Sequence, residues 1–341
     1  RSGNGAHVWF FFSSPVPTVS ARRMGCYLIT ETMARRHQLA MSSYDRLFPN
    51  QDTLPRGGFG NLIALPLQYE PRQAGNSVFL DEDFQPHSDQ WAYLASLTRM
   101  ASSTVESMAR EATRQGKVVG VRYSSASEDG KDDVPWERLP SGRPYTVQAV
   151  EPVPAEIHAV LAQRLFVDKT DLPSPLLNQI KRLAAFQNPE FYKKQSMRLS
   201  TALTSRVISC AEEFPKHIAL PRGCQDELAA LLQHYGSTLA IDDQRHTGEP
   251  LDVHFDGKLT AIQKQVVNIL RKHDIGVFVA PPGVGKTVVG TWLIAERQFN
   301  TLILVHRQPL LDQWVAQLAL FLGLDARDIG QIGGGRHKPN G

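Results

Sequence analysis

The chain lacks most of the features that mark a membrane, secreted or metal-stapled protein. Of its 341 residues only three are cysteine, Cys26, Cys210 and Cys224. None falls in a Cys-x-x-Cys pair, so neither a zinc site nor a disulfide framework is supported, and a reducing cytoplasm is the expected setting. Long hydrophobic runs are missing too. The apolar start at Val8 to Phe12 is too short to span a bilayer and runs into Ser-Ser-Pro, and no signal peptide is visible. Charge of one sign is scarce: a net charge of +3 argues for no class of partner, so any nucleic-acid footprint has to be local. There is no internal repeat and no long low-complexity tract. What the composition does hold is 42% apolar residues, ample for the cores of two or three domains. Arg1 as first residue and the loop-like end His337 to Gly341 lead us to expect a fragment, cut at both ends.

One stretch carries chemistry on its face. Ile275, Val277, Phe278 and Val279 are β-formers, and they stop at a Pro-Gly turn that delivers Gly285-Lys286-Thr287 and then residues suited to a helix. A polyphosphate crowds negative charge, and the most compact neutral donors for it are backbone N–H groups at a helix start. Gly283 and Gly285 let the backbone of Pro282 to Gly285, with Val284 between them, come close without a Cβ in the way. Lys286 then reaches the β- and γ-phosphates as a point charge, and the Thr287 hydroxyl is placed to ligate Mg²⁺. Ala280 stands where the usual pattern opens with Gly, a departure common among helicase-type phosphate loops. An ordinary Gly-rich strand-to-helix turn is the plainer alternative.

Towards the start, a turn-rich lead, Ser2 to Ala6, enters His7 to Phe12, whose aromatic and β-branched content predicts a buried strand. Val19 to Arg36 predicts a helix with Ala21, Met24 and Leu28 on one face and Arg22, Arg23, Arg35 and Arg36 on others. A second strand is expected over Leu62 to Leu67. On these residues alone His7 reads as a strand-end histidine satisfied by neighbours, and Asp45 and Asp52 as turn formers.

Further along, Ser124 to Arg143 is rich in Ser, Asp, Gly and Pro and reads as a linker. Ala155 to Leu165 carries Ile157, Val160, Leu161 and Leu165 as a helical stripe. In Leu176 to Ser200, Lys181, Arg182, Lys193, Lys194 and Arg198 surround Phe186, Phe191 and Tyr192. Such interleaving can clamp phosphates and stack bases, or it can be two amphipathic helices with solvated basic faces. Asp226 to Tyr235 predicts another helix. Thr260 and Gln263 form a capping box ahead of a helix with Ile262, Val266, Ile269 and Leu270 on one face. Thr301 to Val305 predicts a buried strand, followed by a helix with Leu310, Leu311, Trp314, Leu318, Phe321 and Leu322 inward. Alternating strands and helices of this kind build a parallel sheet with ligands at the strands' carboxyl ends.

Two motif sets resemble known families. Ser-Gly-x-Gly-x-His-Val-Trp, then Tyr-Asp-Arg-Leu-Phe-Pro-Asn-Gln-Asp-Thr and Gly-Gly-Phe-Gly-Asn-Leu-Ile-Ala-Leu-Pro-Leu-Gln, resemble the primase-polymerase domain of TOTE conflict systems, of the archaeo-eukaryotic primase class. The resemblance implies that His7, in Gly5-Ala6-His7, meets the incoming nucleotide's phosphates and that Asp45, or alternatively Asp52, holds a catalytic divalent metal. The first acidic pair of such enzymes is expected upstream of Arg1. Gln263 before the phosphate loop resembles the adenine-reading Gln of superfamily 2 helicases, and Val-His-Arg-x-x-Leu-x-x-Gln-Trp resembles helicase motif Ia, which implies strand contacts by His306, Arg307 and Gln313. The Asp-Glu-x-His box that completes hydrolysis is absent from the chain.

The expected fold is α/β: a mixed primase-like part followed by a partial RecA-like parallel sheet with helices on both faces. The expected domains are residues 1–122, the back part of a primase-polymerase domain; 123–150, a linker; 151–255, an accessory region; and 256–341, the front part of a helicase domain. By resemblance the cofactors are ATP with Mg²⁺, or Mn²⁺ at the primase-like site, and the partners are nucleotides and nucleic acid, with no membrane. The fragment is expected to bind ATP but to complete neither reaction, in a bacterial defence or mobile-element setting. The rival reading is a nucleotide-binding regulatory module with a structural N-terminal domain.

Overall fold

The computed structural model describes residues 5–58, 63–119, 121, 152–333 and 335–339. The expected linker, 124–143, and the start of the second strand candidate, Leu62, lie outside the described residues. The chain divides into two compact units, 1–243 and 244–341.

The first unit opens with α1 (Thr18–Arg35), followed by α2 (Tyr69–Gln73), α3 (Gln90–Ser96) and α4 (Ser102–Arg114). The helix predicted over Val19 to Arg36 is present as α1, but its buried stripe includes Arg22 beside Met24, Cys26, Thr30 and Met33. By sequence alone Arg22 stands apart from the apolar face. It is buried because Asp52 meets it there, and a guanidinium leaves water only when it is paired. Val105, Ala109 and Ala112 of α4, spaced at helical period, pack on α1.

After the undescribed stretch come β1 (Glu156–Leu161), β2 (Leu165–Asp168), α5 (Ser174–Leu183), β3 (Ala185–Gln187), α6 (Pro189–Ser196), β4 (Val207–Ser209), β5 (Glu212–Glu213), β6 (His217–Leu220), α7 (Gln225–His234) and β7 (Thr238–Asp243). Five of these strands form one sheet in the order β5-β6-β2-β1-β7. Its ladders are antiparallel except between β1 and β7, which run parallel with Glu156 opposite Thr238. Leu176 and Ile180 of α5 and Leu228 of α7 bury Ile157, Leu165 and Val167. β3 and β4 form a separate ladder, Ala185 opposite Ser209. Ala185 and Val207 complete the core that Cys26, Met33, Tyr44 and Ala112 begin.

The helical stripe expected over Ala155 to Leu165 is instead the hairpin β1–β2. Ile157, Ala159 and Leu161 are buried and alternate with outward Glu156, His158 and Val160, a period of two. So short an apolar run satisfies both periods, and pairing with β7 and β2 decides between them. Leu176 to Ser200 does hold two helices. Asn188 caps the second, its Oδ1 accepting from Glu190 N at 3.0 Å. Phe191 and Tyr192 are core residues rather than exposed stacking platforms.

The second unit comprises α8 (Ala261–Leu270), α9 (Lys286–Arg297), α10 (Gln308–Leu322) and a hairpin of β8 (Gln331–Gly333) and β9 (Arg336–Lys338). Ile294, Leu318, Leu322 and Val253 form its core, with Trp314 packed against them. The inward set expected on α10 is half-buried or buried throughout. On α8, by contrast, Gln263 and Val267 are buried, and of the apolar face expected there Ile262 and Ile269 face solvent while Val266 and Leu270 are half-buried.

The α/β class holds, but its sheet lies in the first unit. Among the described residues the runs 7–12, 63–67, 275–279 and 301–305, predicted as strands, join no ladder apart from one parallel bridge between Phe12 and Met100. Val8, Leu65, Val277, Val279, Leu302 and Leu304 all face solvent, Val277 with 87% of its surface exposed. A buried parallel strand needs hydrogen-bonding neighbours and cover on both faces. No described residue supplies them, so the parallel sheet expected around the phosphate loop is not formed there.

The α9–α10 contact is tight at one point. A Cβ on Gly290 would stand 2.6 Å from Trp314 Cη2. We expect Gly290→Val to destabilise the second unit by about 1–3 kcal/mol through overpacking, read as a lower urea midpoint, and Trp314→Leu in the same chain to restore part of the loss. An unchanged midpoint for Gly290→Val contradicts this packing.

Candidate functional site

In the second unit the Val279 to Thr287 stretch turns into α9 through two glycines in the left-handed region, Gly283 at φ +88° and Gly285 at φ +86°. Those angles strain any side chain but glycine's. At Gly285 a Cβ would also lie 2.5 Å from Gln263 Nε2. Gly285 is the N-cap of α9, so the N–H groups of the next residues are the helix's unpaired donors and point out of its start. Lys286 Nζ donates to the carbonyls of Ala280 at 2.7 Å and Pro281 at 3.1 Å, which holds the ammonium over the loop. Pro282 and Gly283 are exposed, and Val284 and Thr287 are half-buried. Glycines, helix-start donors and an overhanging ammonium thus gather donors of the kind an anion accepts around one short turn, with Thr287 the second residue of α9.

Gln263 braces that loop. Its backbone N–H donates to Thr260 Oγ1 at 3.3 Å and its Oε1 accepts from Thr260 N at 2.9 Å, the complete capping box. Its Nε2 donates to Val284 O at 2.9 Å. One buried amide therefore ties the start of α8 to the phosphate loop. His306 and Arg307, the latter at the N-cap of α10, and Gln313 within α10 are all exposed. Trp314 lies against Gly290, as expected of a core residue.

In the first unit His7 lines a cavity of about 690 Å³ whose other walls include Trp9, Phe11, Phe79 and Tyr93. Neither Asp45 nor Asp52 lines it. Among the described residues no group of three His, Cys, Asp or Glu side chains is placed to hold a metal ion. The structure therefore does not bring His7 and the two aspartates into one constellation.

Asp45 and Asp52 instead bracket a loop that residues far along the chain hold in place. Arg22 donates to Asp52 through two nitrogens, Nε to Oδ1 at 2.5 Å and Nη2 to Oδ2 at 3.0 Å. Gln195 adds a reciprocal pair, its Nε2 donating to Asp52 Oδ2 at 3.2 Å and its Oε1 accepting from Asp52 N at 3.3 Å. Thr201 Oγ1 donates to Gln51 Oε1 at 2.8 Å. The backbone N–H of Arg206 donates to Asp45 Oδ1, and its fully buried guanidinium donates to Asn50 O and Oδ1 while lying over the Phe191 ring, 4.6 Å from its centroid. Burial pushes the Asp45 carboxyl above its ordinary pKa, against the Arg206 N–H and guanidinium, which pull it down. Sequence reasoning missed Arg22, Gln195 and Arg206. For Arg22 a signal existed, since it stands four residues before Cys26 and eight before Thr30 on the buried stripe.

Comparisons with known proteins fall on both units. Residues 1–108 match the family described as TOTE conflict system, Archaeo-Eukaryotic Primase domain, and residues 256–340 match Type III restriction enzyme, res subunit. A putative DNA 3'-5' helicase Rad25 of Haloarcula marismortui is 33% identical over 112 residues, 33% of this chain and 18% of that protein. Its counterpart in Halobacterium salinarum is 33% identical over 113 residues, 33% of this chain and 18% of its own length. The DNA 3'-5' helicase XPB of Mycobacterium tuberculosis is 32% identical over 99 residues, 29% of this chain and 18% of that protein. The chain thus spans 18% of the length of each of these relatives. A match to a primase domain, followed by matches to a restriction-enzyme subunit and to Rad25 and XPB helicases, fits a fusion of an archaeo-eukaryotic primase domain to a helicase-like domain.

Proposed function

We propose that the full-length protein is an ATP-dependent nucleic-acid helicase or translocase joined to a primase-polymerase, working in a bacterial defence or mobile-element conflict system. The observation that carries the proposal is the phosphate loop: two left-handed glycines lead into the start of α9 under the Lys286 ammonium, within residues that match a helicase-related family. In this reading the N–H groups at the start of α9 hold the β-phosphate. Lys286 exchanges its loop carbonyls for the β- and γ-phosphate oxygens, and Thr287 ligates Mg²⁺. Held there, Mg²⁺ would supply positive charge to offset the charge that builds on the phosphates. His306, Arg307 and Gln313 lie on exposed surface, where they can meet a nucleic-acid strand.

For the primase-like part we assign His7 to the incoming nucleotide's phosphates, with the aromatic walls of its cavity beside the base and sugar. Asp45 is the better metal ligand of the two aspartates, with Mg²⁺ or Mn²⁺. Asp52 commits both carboxylate oxygens to Arg22 and Gln195, whereas among the described residues only Oδ1 of Asp45 accepts a bond.

In the full-length protein we expect Lys286→Ala to abolish ATP hydrolysis and spare nucleotide incorporation, and His7→Ala to do the reverse. Loss of both activities from either change in folded protein refutes the division.

Gln263 gives a sharper test. An amide has two N–H groups and two acceptor lone pairs. The capping box and Val284 use one of each, which leaves one donor and one acceptor for adenine N7 and N6. A bidentate base contact contributes about 1–3 kcal/mol of discrimination. Gln263→Ala is therefore expected to narrow the preference for ATP over GTP by roughly tenfold or more, measured as the two nucleotide affinities. A lowered melting temperature with an unchanged ratio would leave Gln263 as a helix cap and loop brace alone.

A further inference from the structure

Two surface loops far apart in sequence are bonded together in the first unit. Arg56 N donates to Arg198 O at 2.9 Å, Thr53 Oγ1 to Gln195 O at 3.4 Å and Thr201 Oγ1 to Gln51 Oε1 at 2.8 Å, so residues 53–58 lie against residues 197–203. The second loop is also tied down from behind. Leu199 N donates to Lys194 O at 2.9 Å, Thr204 N to Thr201 O at 3.0 Å and Lys194 Nζ to Thr204 Oγ1 at 2.7 Å. Yet Leu54, Met197, Leu199 and Leu203 each expose half or more of their surface, and Leu203 exposes all of it. Single exposed apolar side chains are ordinary, but four of them on two loops bonded to each other form a patch, and a patch held out in water marks a binding surface.

Charge indicates the partner. Arg56 and Arg198, whose main chains meet, and Lys193 on α6 are exposed, and among the described residues none of their side chains has a hydrogen bond or an ion pair. The carboxylates beside them are already matched, Glu190 by Lys194 at 2.7 Å and Asp52 by Arg22. The surface is therefore net positive and fits a polyanion. Its apolar part is aliphatic, which separates two kinds of nucleic acid. A single strand is held by stacking its bases on aromatic rings, and the aromatics of α6, Phe191 and Tyr192, are buried. Aliphatic side chains set among basic ones are what proteins insert between the base steps of a DNA duplex from the minor groove, while Arg and Lys meet the backbone. Gly57 gives the first loop a bare tip: it lies in the left-handed region at φ +66°, and nothing stands within 4 Å of where a Cβ would be, so a phosphate backbone can come close.

We infer that these two loops form a docking surface for a DNA duplex. Arg56, Lys193 and Arg198 contact phosphates, and Leu199 and Leu203 act as the wedge, with no reading of base sequence. The inference rests on the reading of the protein as one that works on nucleic acid. It goes beyond that reading by placing a duplex on the first unit, on a surface of which only the first loop lies within the primase-matching residues 1–108.

The test uses the full-length protein with a short dye-labelled DNA duplex of arbitrary sequence, the matching single strand and phosphatidylserine vesicles. ATP hydrolysis and melting temperature report intact protein, and both should stay at wild-type values because every substituted position is exposed. Arg56→Gln combined with Arg198→Gln is expected to weaken duplex binding by about tenfold or more and to lower the slope of log Kd against log salt by about 2, roughly one for each lost phosphate contact. Leu199→Ser combined with Leu203→Ser should keep the wild-type slope but abolish the bend, so that energy transfer between dyes on the two duplex ends returns to the value of free duplex. Benzoylphenylalanine in place of Leu203 should cross-link to the duplex under light, and this measurement decides if the arginine pair fails to fold. Unchanged duplex affinity and salt slope in the arginine pair, or no cross-link from position 203, overturns the inference and leaves the nucleic-acid reading standing. Loss of single-strand or vesicle binding with duplex binding intact also overturns it, because the occupant is then not a duplex. If the wild-type protein binds neither form of DNA and its ATP hydrolysis does not respond to DNA, the reading itself falls and the inference with it.

Discussion

Two guanidinium groups, those of Arg22 and Arg206, are buried without exposed side-chain surface and constrain the first unit. A charge taken out of water costs several kcal/mol unless partners surround it, so Arg22 and Arg206 can be where they are only if their partners are too. Arg22 requires Asp52, and Arg206 requires Asn50 and the ring of Phe191. Through these requirements α1, the Tyr44 to Asp52 loop, α6 and the β3–β4 ladder become one structure, although their residues are spread over most of the unit. The apolar core follows the same route, with Ala185 and Val207 joining the cluster begun by α1.

The second unit depends on a different constraint, backbone conformation. The angles at Gly283 and Gly285 turn the chain into α9, and the Gln263 amide then holds Val284 from the side. Nothing in this arrangement needs a buried charge. It needs two residues without a Cβ and one side chain long enough to bridge from a helix cap to the loop. The positive charge of Lys286 stays at the surface, where a ligand can compete for it.

This contrast explains what the sequence made legible. The glycine turn into α9, the Thr260–Gln263 capping box and the inward face of α10 were readable because each is local: glycine spacing, a three-residue cap and a helical period are all written within a turn or two. The fold class was readable for the same reason. Pairing across the chain was not. The Ala155 to Leu165 hairpin was mistaken for a helix because its apolar residues fit either period until β7 is known to lie beside it. The four strand predictions outside the main sheet failed because β propensity describes a fit to neighbours, and no described residue provides those neighbours. Asp45 and Asp52 were singled out by family resemblance, but nothing near them in sequence announces Gln195 or Arg206 as their partners. Nor does Arg22 among four arginines of one helix announce itself as the buried one, except by its step along the stripe of Cys26 and Thr30.

The long reach of the Arg206 contacts also orders events in time. Arg206 meets Asp45 across 161 residues and Asn50 across 156, while β1 must wait for β7 to close the edge of the sheet. Loop closure over such distances comes late in folding, because its entropy is lost before the contact can compensate. On a chain emerging from the ribosome, α1 and α4 can meet as soon as both are out, but the aspartate loop stays without its anchor until residue 206 has followed, and the sheet stays open until residue 243. The acidic loop is therefore assembled by nearly the last part of its unit to be made, and the phosphate loop is the next thing synthesised.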